Sequence, residues 1–260
     1  MSRRQESFER TADRSRIGRR YLSFLLNHCN RVPRPRTSEP SSNPAGGPFD
    51  GFWRPERLSY FWYLPLPDQE TIIRHGWSTK DCSPNIYVDN DSLTMHRLPV
   101  AQSTDAVRGK VGFSKGFHVW EIIWPSKRRG TNAVIGVGTK DAPLHRCGYV
   151  SLVGSDNESY GWDLIQKKCF HGKENRCGWH YPPGSARGRG EAMPDRILCI
   201  LDMDNGYLAF ASSTKNYYGV AFTGLKGKTL YPMVSAVWGH CEIKMIYLGS
   251  LPRRNFVFTD

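Results

Sequence analysis

From Trp77 onward, apolar and polar positions alternate in short runs broken by turn residues, and that pattern predicts strands. Residues 85–88 and 93–96 are two of them, joined across Asp89-Asn-Asp-Ser92 as a hairpin. Residues 118–124 are β-branched and aromatic, with Trp120, Ile122 and Trp124 on one face by period two. Further strands are predicted at 133–138, 197–203, 207–211, 230–236 and 242–248. In the last, Ile243, Met245 and Tyr247 oppose Glu242 and Lys244, the alternation of a half-buried strand. Many short strands spaced by turns predict an all-β sandwich or barrel.

The first part of the chain reads differently. Residues 1–30 have the pattern of a marginal basic helix, interrupted by Gly18 and dispersed serines. Residues 31–48 are rich in proline and serine and read as a disordered linker. Folded sequence is expected to begin near Phe52. The aromatic-rich stretch 55–67, with Tyr60, Phe61, Trp62 and Tyr63, is expected to pack as core. The expected organisation is a tail at 1–48, one domain at 49–251 and a short tail at 252–260.

Charge separates along the same boundary. Of the net +12, residues 1–36 supply +7, from ten arginines against Glu6, Glu9 and Asp13. The domain is therefore only mildly basic. Lys127-Arg-Arg129 and Arg187-Gly-Arg189 read as solvated loop tips, which argues against nucleic-acid binding by the domain. Seven cysteines, an odd number with no short disulfide framework, and the lack of a leader or a membrane-length apolar run point to a reduced compartment, cytoplasmic with the nucleus also open.

Several short patterns raise chemistries that the context disfavours. Gly112-Phe-Ser-Lys-Gly116 has the spacing of a hydrolase elbow around Ser114, but residues 118–124 read as a strand where that motif needs a helix. Ser212-Ser-Thr-Lys215 lies in a polar hairpin. Cys169, His171, Cys177 and His180 offer a zinc-type ligand set at a spacing no common finger has. Asp202-Met-Asp-Asn-Gly206 is better explained as a turn than as a calcium loop. With no phosphate-cradling loop or carboxylate pair, the expectation is a module that binds, without catalysis, cofactor or metal.

The stretch Arg97-Leu-Pro-Val-Ala-Gln-Ser-Thr-Asp-Ala-Val-Arg-Gly-Lys-Val-Gly-Phe113 fits no helix or strand template. It reads as a loop in which only residues 110–113 begin a strand. Its polar groups either bind a ligand or satisfy the loop's own backbone.

That stretch, with Pro-Val-Ala-Gln-Ser-Thr-Asp at its centre, resembles the signature of the gustavus-like family of SPRY domain and SOCS box proteins. Arg129-Gly-Thr-Asn-Ala-Val134, Asp141-Ala-Pro-Leu144, Gly161-Trp-Asp163, Leu201-Asp-Met-Asp-Asn-Gly206, Gly224-Leu-Lys-Gly227 and Leu230-Tyr-Pro-Met-Val-Ser-Ala-Val-Trp-Gly239 resemble it too, in order. The resemblance implies a two-sheet SPRY (B30.2-like) β-sandwich that grips a short extended peptide, an acidic residue followed by consecutive asparagines. The contact set it implies is Arg97, Pro99, Ala101, Gln102, Thr131, Tyr149, Val237, Trp238 and Gly239. Taken alone, Trp238 reads as a core tryptophan.

The partners implied are proteins bearing an asparagine-rich motif, such as a Vasa-like helicase or nitric oxide synthase. Family members also continue into a SOCS box that recruits elongins B and C and a cullin. The nine residues after Leu251 are too few for that helical hairpin, so the expectation is a chain with the recognition half and without the recruiting half. Tyr160, where the family has tryptophan, and the 167–193 loop also depart from the pattern.

Overall fold

The computed structural model describes residues 55–251, apart from 175–176, 184, 186–191 and 215. The 1–48 tail, the 252–260 tail, Cys29, Arg187, Arg189 and Lys215 lie outside the described residues.

Two short helices lead in: α1 (Glu56–Phe61) and α2 (Gln69–Arg74), the latter capped by Asp68, whose carboxylate accepts from Thr71 N at 2.6 Å. The strands follow as β1 (Trp77–Cys82), β2 (Ile86–Val88), β3 (Thr94–Arg97), β4 (Ser103–Gly109), β5 (Phe117–Ile123), β6 (Ala133–Gly138), β7 (His145–Cys147) and β8 (Ser159–Asp163). Then come β9 (Lys168–Phe170), β10 (Trp179–His180), β11 (Arg196–Asp202), β12 (Tyr207–Ser212), β13 (Tyr217–Phe222), β14 (Tyr231–Ala236) and β15 (Glu242–Leu251). All pair antiparallel. One sheet runs β1-β4-β14-β6-β8-β9-β10 with β7 added beside β4, and the other β13-β12-β11-β5-β15-β3-β2. This is the expected all-β two-sheet sandwich.

The core lies between the sheets. Trp120, Ile122 and Trp124 enter it from one face, as period two requires, and Ile243, Met245 and Tyr247 enter it from β15. Trp77, Trp162 and Phe210 fill the space beside them. A second apolar layer covers the outer face of the first sheet, where Leu152 and Val153 pack on Ala106, Val134 and Met233. Strands β4, β6 and β14 are therefore buried on both faces. The covering segment also carries Tyr149 toward one end of the sandwich.

Three expectations are corrected by the fold. Residues 103–109 form a wholly buried strand inside the sheet, not a loop, and 110–112 are not strand. Polar Ser103, Thr104, Asp105 and Arg108 tolerate that burial because partners 20–45 residues away bond them, which spacing cannot reveal. Second, of the four aromatic residues of the leading segment only Phe61 is buried, while Trp62 is partly buried and Tyr60 and Tyr63 are exposed. Third, Arg129 is no solvated loop tip. It is 1% exposed and donates to the carbonyls of Met193, Trp124 and Pro194 at 2.6, 2.7 and 2.5 Å. Burial pulls its pKa down to about 10.

Candidate functional site

The register of three strands brings distant segments to one place. Ala236 at the end of β14 stands opposite Ala133 of β6 on one side and Asp105 of β4 on the other. The residues just outside those positions, Val237–Gly239, Gly130–Thr131 and 99–101, therefore surround one opening, and Tyr149 joins them from the covering segment. They line a cleft of about 580 Å³ together with Arg97 and Val100. Eight of the nine predicted residues line it; Gln102 does not.

Close approach fixes its walls. A Cβ on Gly239 would come within 2.7 Å of Pro99 Cα, so only glycine lets these two segments touch. They are also stitched together by His240 N donating to Arg97 O (2.8 Å) and Arg97 N donating to Cys241 O (3.2 Å). Gly130, at φ +67°, lies against Trp238. Trp238 itself is 51% exposed and Tyr149 47%, so Trp238 is a surface residue, not the core tryptophan that its sequence neighbours alone suggest. Gln102 N donates to Tyr149 Oη at 3.1 Å, which places Gln102 behind the phenol.

Beneath the cleft sits a buried polar hub that sequence reasoning missed. The Asp105 carboxylate accepts from Arg97 Nε (2.8 Å), Ser83 Oγ (2.6 Å), Asn85 Nδ2 (3.0 Å) and Ser103 Oγ (2.9 Å), and it meets His145 Nδ1 at 3.0 Å. Burial opposes its charge, but the hydrogen bonds from Ser83, His145, Ser103 and Asn85 prevail and hold its pKa below the usual carboxylate range.

Arg97 spends its remaining donors on the loop just after it. Nη1 binds Leu98 O, and Nη2 binds Val100 O and Ser103 O. Four of its five N–H groups are thus engaged within the protein, three of them on loop backbone, and Arg97 shapes the cleft from below.

Thr131, exposed at the rim, donates to Asn132 Oδ1 at 3.1 Å, and Asn132 Nδ2 donates to Ser151 Oγ at 3.0 Å. Ser151 in turn donates to Asp163 Oδ2 at 2.6 Å. This chain ties the Thr131 rim to the segment bearing Tyr149. The cleft thus offers an indole, a phenol, a hydroxyl and loop backbone groups on walls held from behind. Val100 and Gly130 also line it. Both were legible only as neighbours of predicted residues, Val100 between Pro99 and Ala101, and Gly130 beside Thr131.

The other sequence patterns resolve locally. Ser114 precedes a strand, and both ring nitrogens of nearby His118 are engaged, by Tyr247 Oη at 3.0 Å and Lys115 O at 2.8 Å. Cys169 is buried in β9, Cys177 is exposed, and His171 bonds Ser159 O at 2.8 Å. Among the described residues, no group of three such side chains is placed to hold a metal. Asp202 caps its turn by accepting from the backbone of Asp204 and Asn205. Tyr160 is buried and stacks on His171 with centroids 3.9 Å apart. Among the described residues, no helix is long and apolar enough to cross a membrane.

Comparison with known proteins agrees with this architecture. The SPRY domain family matches residues 117–249. The chain is 51% identical to protein gustavus of Drosophila melanogaster over 201 residues, covering 77% of this chain and 72% of that one. It is 49% identical to human SPRY domain-containing SOCS box protein 1, with 77% and 73% covered. Human SPRY domain-containing SOCS box protein 2 is also 49% identical, with 75% and 73% covered.

Proposed function

The chain belongs to the family of gustavus and the SPRY domain-containing SOCS box proteins, and from that premise we propose that its cleft recognises a short, asparagine-rich linear motif in partner proteins. The supporting observation is the convergence of Pro99, Ala101, Thr131, Tyr149, Val237, Trp238 and Gly239 on one opening. A carboxamide has two donor and two acceptor sites, and each bond it fails to make on burial costs about 1–3 kcal/mol. The Thr131 hydroxyl, the Tyr149 phenol and the loop backbone at 99–101 supply complementary groups, and Trp238 supplies a rigid apolar wall. Because Arg97 and Asp105 hold the loop in place, little ordering is left for binding to drive.

The motif is an acidic residue, one further residue and three asparagines. Its bearers by family resemblance are Vasa-like helicases and nitric oxide synthase. The names of the relatives join this module to a SOCS box, and by that resemblance the cleft is the recognition half of a substrate receptor of an elongin–cullin ubiquitin ligase; without the recruiting half it acts as a peptide-binding adaptor. No step of this reading requires catalysis. Calorimetry with an Asp-Ile-Asn-Asn-Asn peptide tests it. Saturable heat at one peptide per chain is expected, and no heat from a folded sample at high peptide concentration overturns it.

A further inference from the structure

Strand β7 has an edge that nothing pairs among the described residues. On its inner side it faces β4 in the register Ser103↔Cys147, Thr104↔Arg146 and Asp105↔His145. Gly148 N donates to Gln102 O, and Ala106 N donates to Leu144 O, both at 2.8 Å. Opposed residues in an antiparallel ladder alternate between pairs that exchange hydrogen bonds and pairs that exchange none. Gln102/Gly148 and Ala106/Leu144, each joined by one such bond, hold the phase of the first kind, so Ser103/Cys147 and Asp105/His145 have the phase of the second. The backbone N–H and C=O groups of His145 and Cys147 therefore point away from β4. Two residues apart, they have the phase that an added strand needs, and all of β7 is exposed.

We propose that this edge is a second recognition surface, on which an acidic, extended flank of the partner peptide adds as a strand continuous with the segment in the cleft. Continuity is one support. Tyr149, at the lip of the cleft, is two residues past Cys147, so a chain leaving the cleft beside Tyr149 reaches the free edge at once. Charge is the other. Arg146 is exposed and has no carboxylate partner among the described residues, while Asp105, opposite its neighbour His145, is buried and already taken up by its own donors. A cation on an edge strand ordinarily guards against pairing with other chains. Here it repels basic segments and admits acidic ones.

This inference rests on the cleft reading, and the experiment separates the two. Calorimetry compares the Asp-Ile-Asn-Asn-Asn peptide with versions extended at either end by Glu-Thr-Glu-Thr. One of the extended peptides is expected to bind about tenfold tighter than the core. Cys147→Pro, which deletes an outward N–H and no bond to β4, should erase that gain and leave the core peptide's affinity unchanged, whereas Cys147→Ala should keep both. If the core peptide binds and neither extension gains, or the gain survives Cys147→Pro, the edge has no such role. If the core peptide itself fails to bind, the cleft reading falls first and this inference falls with it.

Discussion

Arg97 Nε and Asp105 Oδ2 meet at 2.8 Å, with both side chains essentially out of contact with water. Removing one member of a buried, hydrogen-bonded charge pair strands the other, at a cost of about 3–5 kcal/mol. Arg97→Ala should therefore lower stability by about that amount in urea unfolding and release the 98–103 loop. Arg97→Lys keeps the charge but cannot reach Leu98 O, Val100 O and Ser103 O together, and should lose peptide affinity at a smaller stability cost. An Arg97→Ala protein as stable as wild type would show that the pair is not what holds this corner.

Tyr149 and Trp238 should behave in the opposite way, since both are half exposed. Alanine at either position is expected to cost about 2 kcal/mol or more in peptide binding, roughly thirtyfold in Kd. Stability should move by no more than about 0.5 kcal/mol. Calorimetry and thermal melting on the same samples check both halves, and undiminished binding by both variants would place recognition elsewhere.

Gly239→Ala separates cleft shape from cleft chemistry. Its methyl would lie 2.7 Å from Pro99 Cα, a backbone atom that cannot swing aside. The wall at 98–100 must shift, at about 1–3 kcal/mol for overpacking, and peptide affinity should fall at least about tenfold. Unchanged affinity would mean that the Pro99 wall makes no contact with the ligand.

Acid should loosen the molecule in two stages. His75 stacks on Tyr247 at 3.9 Å, and His118 stacks on Phe113 at the same distance. Burial lowers the pKa of both, against the raising effect of Thr71 O on His75 and of Lys115 O and Asp204 on His118; Arg74, Arg57 and the neighbouring histidine add to the lowering. A histidine whose folded pKa is depressed contributes stability above its unfolded value of about 6.5, and that contribution is lost as pH falls through the folded value. The carboxylates with lowered values, Asp68, Asp81 and Asp105, lose their contributions only at lower pH. Urea unfolding of His118→Phe should therefore show a smaller drop in stability between pH 7 and 5 than wild type. An equal drop would remove His118 from the first stage.

Strand β15 was legible in the sequence because a half-buried strand writes its burial into every second residue, and β5, buried at five of its seven positions, was legible from its β-branched and aromatic run. Strand β4 was not, because its polar residues are buried through bonds to Ser83, Thr139, His145 and Gly148, which sequence distance hides. The short strands β7, β9 and β10 have two or three residues each, too few to show a period. The set of residues around the cleft was legible only through family resemblance, since nothing local marks Trp238 as exposed. That resemblance did not reveal the division of labour in which Arg97 builds the wall and Trp238 presents it.

The indole Nε1–H of Trp238 gives the most direct test of peptide recognition by this cleft. In a titration of 15N-labelled protein with Asp-Ile-Asn-Asn-Asn peptide, that resonance, assigned by its loss in Trp238→Phe, should shift with the binding isotherm. The indoles of buried Trp77, Trp120 and Trp162 should stay in place. A saturating isotherm with the Trp238 indole unmoved would show that the peptide binds somewhere else.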